Sequence, residues 1–291
     1  MAVTTRPAWV DDKLFPFESR FVDIGGHSVH YVDEGSGPTL LFLHGNPTWS
    51  FLYREVIQFL RDEFRCVAID FPGFGLSTPV PGYRYLPVEH AQVLTEFVDS
   101  LDLRGVTLVA HDWGGPIGLA TVQERPDVFD RLVLANTWAW PIGAPHVQVM
   151  SHVMGSPIGR LLIRQFNLFV NVMIPAGHRL SKPTADVMGH YQKALDTPAR
   201  REASAVFPRE ITASRRFLAD VEAGLDDIAA LPTLIVWGDA DIAFGDKELR
   251  RWQQTFVNHE TVVIDGAGHF VQSDAADRFS AAIREWHLKK P

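Results

Sequence analysis

Val109-Ala110-His111-Asp112-Trp113-Gly114-Gly115 is the stretch on which the fold of this chain turns. The apolar run 106–110 leads into it and a helix-like run, 115–123, leaves it. Strand, sharp turn, helix is the context of a nucleophile elbow, where the tip residue is held in strained geometry and small neighbours prevent a clash. Ala110 and Gly114 stand two before and two after Asp112; the usual elbow has glycine at the first of these places, so Ala110 is a departure. The tip residue is a carboxylate, which can attack a saturated carbon or an epoxide and form an ester. An ordinary strand–helix turn with Asp112 as an N-cap fits the same letters, and the rest of the chain has to decide.

Seven more short apolar runs read as strands: residues 20–24, 28–32, 39–43, 66–69, 131–134, 233–237 and 261–264. Helix-like patterns lie between most of them, at 50–60, 88–101, 246–255 and 275–286. Repeated β-then-α units with nearly continuous apolar strands predict an α/β fold, a mostly parallel eight-stranded sheet flanked by helices. Gly25-Gly26-His27 between the first two runs reads as a hairpin and gives one antiparallel edge. The alternation stops between Asn136 and about Ile228. Trp138, Trp140, Phe166, Phe169 and Met173 lie there among prolines and basic residues, with amphipathic stretches at 158–170 and 211–221. We read 137–228 as a helical cap inserted into a core made of 1–136 and 229–291. A few extra surface helices would give a similar pattern. The position favours a cap, because open α/β sheets bind ligands beyond the carboxyl ends of their strands.

Three further motifs follow strands. Leu41-Phe42-Leu43-His44-Gly45-Asn46-Pro47 makes a turn that can present a backbone N–H above the sheet. His44 reads there as a buried hydrogen-bonding strut rather than a base. Asp265-Gly266-Ala267-Gly268-His269-Phe270 sets an imidazole on a flexible loop before the last helix, and His269 is the one histidine of 12 so placed. The remaining late and cap histidines, His146, His152, His178, His190, His259 and His287, read as surface residues. Trp237-Gly238-Asp239-Ala240-Asp241 offers two carboxylates to orient His269. Asp241 lies further into the loop and is preferred; Asp239 reads as a turn residue. Nucleophile Asp112, acid Asp241, base His269 is the chain order of an α/β-hydrolase.

Composition bounds the rest. Hydrophobic residues make up 46% of the 291 and charged residues 21%, enough to bury a large core and to exclude general disorder. A net charge of −8 argues against nucleic acid as a partner. No run approaches the ~18 apolar residues of a membrane span, and residues 1–20 lack the apolar run of a signal peptide. No membrane partner and a cytoplasmic location are therefore expected. Cys66 is the only cysteine, which excludes an internal disulfide and any multi-cysteine metal site.

With these residues in view, the chain resembles the haloalkane dehalogenase family of the α/β-hydrolase superfamily, over about residues 21–286. The marks are His44-Gly45-Asn46-Pro47-Thr48-Trp49-Ser50, Asp70-Phe71-Pro72-Gly73-Phe74-Gly75-Leu76-Ser77 and His111-Asp112-Trp113-Gly114. The resemblance implies that Asp112 displaces halide from carbon, that Trp113 and Asn46 hold the departing halide, and that their backbone N–H groups form an oxyanion hole. It implies hydrolysis of the alkyl ester by water activated at His269, with Asp241 stabilising the imidazolium. Partners would be a small halogenated aliphatic substrate, halide and water, with no metal and no organic cofactor. Some members carry the acid as glutamate after the sixth strand; here Leu134-Ala135-Asn136-Thr137-Trp138 has no carboxylate. Asn and Trp ligands with a late Asp look like the third dehalogenase subfamily, for which homo-oligomers are an expectation. Another branch uses a second tryptophan from the cap; Trp138 and Trp140 are the candidates here, but Asn46 makes one unnecessary.

The same residues bear on rival readings. An epoxide hydrolase also attacks with Asp but resembles this chain poorly, since only Tyr191 of five tyrosines lies in the cap and that family uses two. A fluoroacetate dehalogenase would carry arginines beside the nucleophile. A cofactor-independent luciferase shares the Asn and Trp marks. A non-catalytic ligand-binding protein would have lost a triad member, and Asp112, Asp241 and His269 are all present.

Overall fold

The computed structural model describes residues 5–289. Its strands are β1 (Arg20–Ile24), β2 (His27–Glu34), β3 (Thr39–Leu43), β4 (Arg65–Ile69), β5 (Val106–Asp112), β6 (Phe129–Thr137), β7 (Thr233–Gly238) and β8 (His259–Ile264). They form one sheet in the order β1-β2-β4-β3-β5-β6-β7-β8. β2 runs antiparallel to β1 and β4, and every other neighbouring pair is parallel. The hairpin edge and the eight-stranded α/β sheet expected from the sequence are both present.

Successive strand residues point to opposite faces, so the central strands feed two cores. Leu41, Leu43, Leu108 and Ala110 pack with the helices Pro87–Ser100, Gly114–Glu124 and Asp246–Thr255. Leu40, Phe42 and Val109 pack with Phe51, the helix Arg54–Leu60 and the helix Ala276–Leu288. All five residues of β3 are buried, as a strand covered on both sides requires.

The strand order also places the site. From β3 the chain crosses to β4 on one side and then returns to β5 on the other. That reversal opens a crevice at the carboxyl ends of β3 and β5. Leu43 and Ala110 are in register there, so the His44–Asn46 turn lies beside Asp112. β6, β7 and β8 follow in order and deliver Asn136, Asp241 and His269 to the same edge.

Between β6 and β7 the chain makes helices and no strand. Two stretches read as continuous from the sequence are shorter. The helix Pro157–Phe166 stops before Asn167, which turns left-handed (φ 51°), a conformation asparagine tolerates. The stretch 211–221 is broken at Ser214, which leaves helical geometry and turns its hydroxyl to the Glu210 carboxylate at 2.5 Å. Two histidines between β6 and β7 that were expected at the surface are buried: His178 bonds Ser273, and His190 stacks on Phe51. Among the described residues no helix is long and apolar enough to cross a membrane.

Candidate active site

Asp112 ends β5 with φ 50°, the left-handed geometry that an L residue enters only when its surroundings impose it. The register of β5 against β6 shifts at this point, from His111 opposite Ala135 to Asp112 opposite Thr137. The Thr137 hydroxyl donates to the Asp112 carbonyl at 2.6 Å. Two close approaches complete the mould. A Cβ on Gly114 would stand 2.6 Å from the Leu43 carbonyl oxygen, and one on Gly45 would run into the Asp112 carboxylate. The Asn46 N–H donates to Asp112 Oδ1 at 2.8 Å, and the Trp113 N–H also bonds the carboxylate. The Asn46 dipole thus faces Oδ1, as an oxyanion hole needs, and Oδ2 lies towards the imidazole.

His269 Nε2 is 3.8 Å from that Oδ2, too far for a direct hydrogen bond and within reach through one water. Its Nδ1 lies 3.0 Å from Asp241 Oδ2. Asp241 has a fully buried side chain. Its Oδ1 accepts the Ala243 N–H at 2.7 Å, and its Oδ2 accepts the Asn136 amide at 2.8 Å. Asp239 is exposed and accepts the Gly266 N–H at 2.7 Å. The structure therefore brings Asp112, His269 and Asp241 together and leaves Asp239 in the turn.

Burial pushes the Asp112 carboxyl above its ordinary value; the His269 charge and the Trp113 and Asn46 N–H groups oppose this without cancelling it. Burial pulls the His269 imidazole down, but the Asp241 charge and hydrogen bond, with the Asp112 charge, outweigh it and leave it above 6.5. An imidazole flanked by two carboxylates is poised to take up a proton.

The expected struts are in place. His44 is buried, accepts the Phe71 N–H at Nε2 and turns Nδ1 to the Gly45 carbonyl. Burial lowers its proton affinity. Asp70 of the second motif is a buried hub that accepts the Ser50 and Leu76 N–H groups and His30 Nδ1, each at 2.8 Å. Trp113 is wedged between Trp138 (ring centroids 4.7 Å apart) and Phe207 (5.1 Å). Asn46 keeps its side-chain oxygen buried and without a partner. Trp140 packs instead on Trp252, with Arg251 over its ring. Tyr191, between β6 and β7, packs on Phe51 in the core of the opposite sheet face from Trp113.

Sequence reasoning missed three contributors. Asn136 is a buried bulge residue with φ 37°; its amide bonds both Asp241 and the Gly238 carbonyl, and its oxygen accepts the Gly238 N–H. A bulge re-aims a side chain in this way, and its only signal was the place at the end of a strand. Phe244 stacks on Trp138 and lies 5.7 Å from His269, ring to ring. His111, quoted only as part of the motif, is buried, and its Nε2 bonds the His269 carbonyl at 2.8 Å. Among the described residues no group of three or more His, Cys, Asp or Glu is arranged to hold a metal.

The family described as alpha/beta hydrolase fold matches residues 38–276. Haloalkane dehalogenase 2 of Mycobacterium tuberculosis is 45% identical over 277 residues, covering 94% of this chain and 96% of that one. A cis-3-alkyl-4-alkyloxetan-2-one decarboxylase of Shewanella oneidensis is 30% identical over 285 residues, covering 94% and 90%. The crystal structure of the haloalkane dehalogenase DatA from Agrobacterium tumefaciens superposes with a TM-score of 0.85 at 26% identity, covering 94% of this chain and 96% of that one. Likeness of this extent in sequence and in fold means that the chain belongs to the haloalkane dehalogenases, α/β-hydrolase-fold enzymes that act on carbon–halide bonds.

Proposed function

We propose that the chain hydrolyses halogenated aliphatic compounds in two steps. In the first, Asp112 Oδ2 attacks the carbon bearing the halogen, and the carbon–halogen bond breaks as an alkyl ester forms. The free oxygen is the better nucleophile, because Oδ1 already accepts the Asn46 N–H. The departing halide gains charge as it loses carbon, and the Trp113 indole N–H with the Asn46 amide stabilises it in a buried site. In the second step His269 takes a proton from water, which adds to the ester carbonyl carbon. The negative charge then develops on Oδ1 under the Asn46 and Trp113 N–H groups. Collapse releases the alcohol and restores the carboxylate. Asp241 stabilises the imidazolium. The helices within 137–228 act as the cap, with Phe207 lying over Trp113.

The observation that carries this reading is Asp112 in a left-handed elbow with one oxygen bound by main chain and the other facing His269. A single turnover of a bromoalkane in ¹⁸O-water tests it. Label should enter the Asp112 carboxylate, and label confined to the alcohol would overturn the scheme. Replacing His269 by Phe should release one halide per protein and leave the alkyl mass on the peptide containing Asp112.

The decarboxylase relative favours a second reading. Attack of Asp112 on the oxygen-bearing ring carbon of a β-lactone would open the ring to a carboxylate. Loss of CO₂ would then expel Asp112 and leave an alkene. That route uses no water, so it predicts alkene release that survives His269→Phe. Turnover of a dialkyl β-lactone without turnover of bromoalkanes would decide for it.

A further inference from the structure

Asp274 lies five residues beyond His269, closes the short helix Val271–Asp274 and is 4% exposed. Its carboxylate accepts four main-chain N–H groups. Oδ2 takes those of Gly268 (2.7 Å) and Arg179 (2.8 Å); Oδ1 takes those of Leu180 (2.9 Å) and Ser181 (2.7 Å). Gly268 immediately precedes His269. Residues 179–181 belong to the insertion between β6 and β7, and their side chains are exposed. This run is therefore seated by its backbone, not by burial of its own side chains. The neighbouring His178 ring stacks on Phe270.

A carboxylate just before a helix ordinarily caps it. Here the following helix, Ala276–Leu288, receives no side-chain cap. All four acceptor bonds run away from it, one to the turn just before His269 and three to a segment distant in sequence. Charge-assisted bonds of this kind are the strong ones.

We propose that Asp274 is a positioning residue for the hydrolytic half-reaction. It ties the Gly268–His269 turn to residues 179–181, so the imidazole's place over the Asp112 ester depends on the seating of the insertion. The proposal rests on the reading of His269 as the base. Asp274 touches no reacting atom, and the attack by Asp112 does not need it. Misplacement of a catalytic group by about an ångström slows the step it serves by up to about 10²-fold. The loss should therefore fall on the second step alone.

Asp274→Asn in the full chain tests this with a bromoalkane, rapid quenching and intact mass. The variant should release its first equivalent of halide as fast as the parent, turn over about ten- to a hundredfold more slowly, and accumulate the alkyl adduct during steady state. Ser273→Ala, which loses the contact with His178 and keeps all four bonds to Asp274, should behave as the parent in both steps. Equal slowing of both steps by Asp274→Asn, no slowing, or the same pattern from Ser273→Ala would overturn the proposal. If Asp274→Asn does not fold, hydrogen exchange on the unaltered protein replaces it. The amides of Gly268, Arg179, Leu180 and Ser181 should exchange slowly together, and fast exchange at 179–181 would overturn it. His269→Phe run in parallel separates this from the proposed function: without an adduct there, the two-step scheme itself fails.

Discussion

Asp112 is gripped by main chain, whereas His269 hangs largely on side chains. The elbow is defined by a strand end, the Asn46 and Trp113 N–H groups and the Leu43 carbonyl packed under Gly114. The base loop is defined by the carboxylates of Asp241 and Asp274 and by the His111 ring. The difference follows from the sheet. β5 is central and its end is fixed by β3 and β6 on either side. β8 is the edge strand, with β7 as its only neighbour in the sheet, so a loop leaving it needs other anchors. On the proposed reading, the nucleophile end at Asp112 should therefore fail as a whole when disturbed, and the base end at His269 should fail one step at a time.

The largest expected effect tests the nucleophile end. Asp112→Asn keeps a residue that tolerates φ 50° and removes the attacking oxygen. Halide release should fall by on the order of 10⁴-fold or more, with no adduct by mass. Retained halide release would break the contrast at its root, because chemistry would not depend on the elbow.

Asp241→Asn comes next and sharpens the contrast, since it acts only through the imidazole. Turnover should fall on the order of 10²–10⁴-fold, while the halide burst persists. The pH dependence has a definite sign. Asp241 is one of the two carboxylates that raise His269. Loss of its charge lowers the imidazole's proton affinity, so the acid limb of the hydrolytic step should move to lower pH in Asp241→Asn. A limb that stays in place, followed by stopped-flow across the acid range, would show that another group sets it.

Asn136→Ala probes the join between the two ends, because the bulge in β6 opposite the elbow also aims the amide at Asp241. One hydrogen bond to a buried carboxylate contributes about 1.5–3 kcal/mol, so hydrolysis should slow about ten- to a hundredfold. The burst should again be spared. A fall in the burst of the same size would mean that Asn136 serves the elbow as much as the acid.

These residues also show what the sequence could reveal. The sheet was legible because its strands are compact apolar runs bounded by turn residues, and β1 and β3 were read to the residue. β6 was read short, at 131–134, because Asn136 and Thr137 look like loop. They are in fact buried polar groups that serve Asp112 and Asp241. Asp112, His269 and Asp241 were legible because each lies at or beyond a strand end in a turn-rich setting. Asp274 was not, since an acid entering a helix is an ordinary sight and its partners at 179–181 come from a distant segment. Long-range bonds to backbone leave no mark in a single sequence.

Asp239 provides the smallest and most discriminating case. It stands two residues before Asp241, carries the same carboxylate and also reaches the base loop, through the Gly266 N–H. It differs in being exposed and in touching the loop three residues ahead of the imidazole. If the base end were merely a loop needing tethers, Asp239→Ala and Asp241→Ala should resemble one another. If orientation of one nitrogen is what matters, removing an exposed tether should change stability by about 0.5 kcal/mol or less and turnover by about twofold at most. Steady-state halide release and thermal unfolding of the two variants side by side decide between these. Comparable losses would mean that the loop is held by the sum of its tethers and that Asp241 has no special claim on His269.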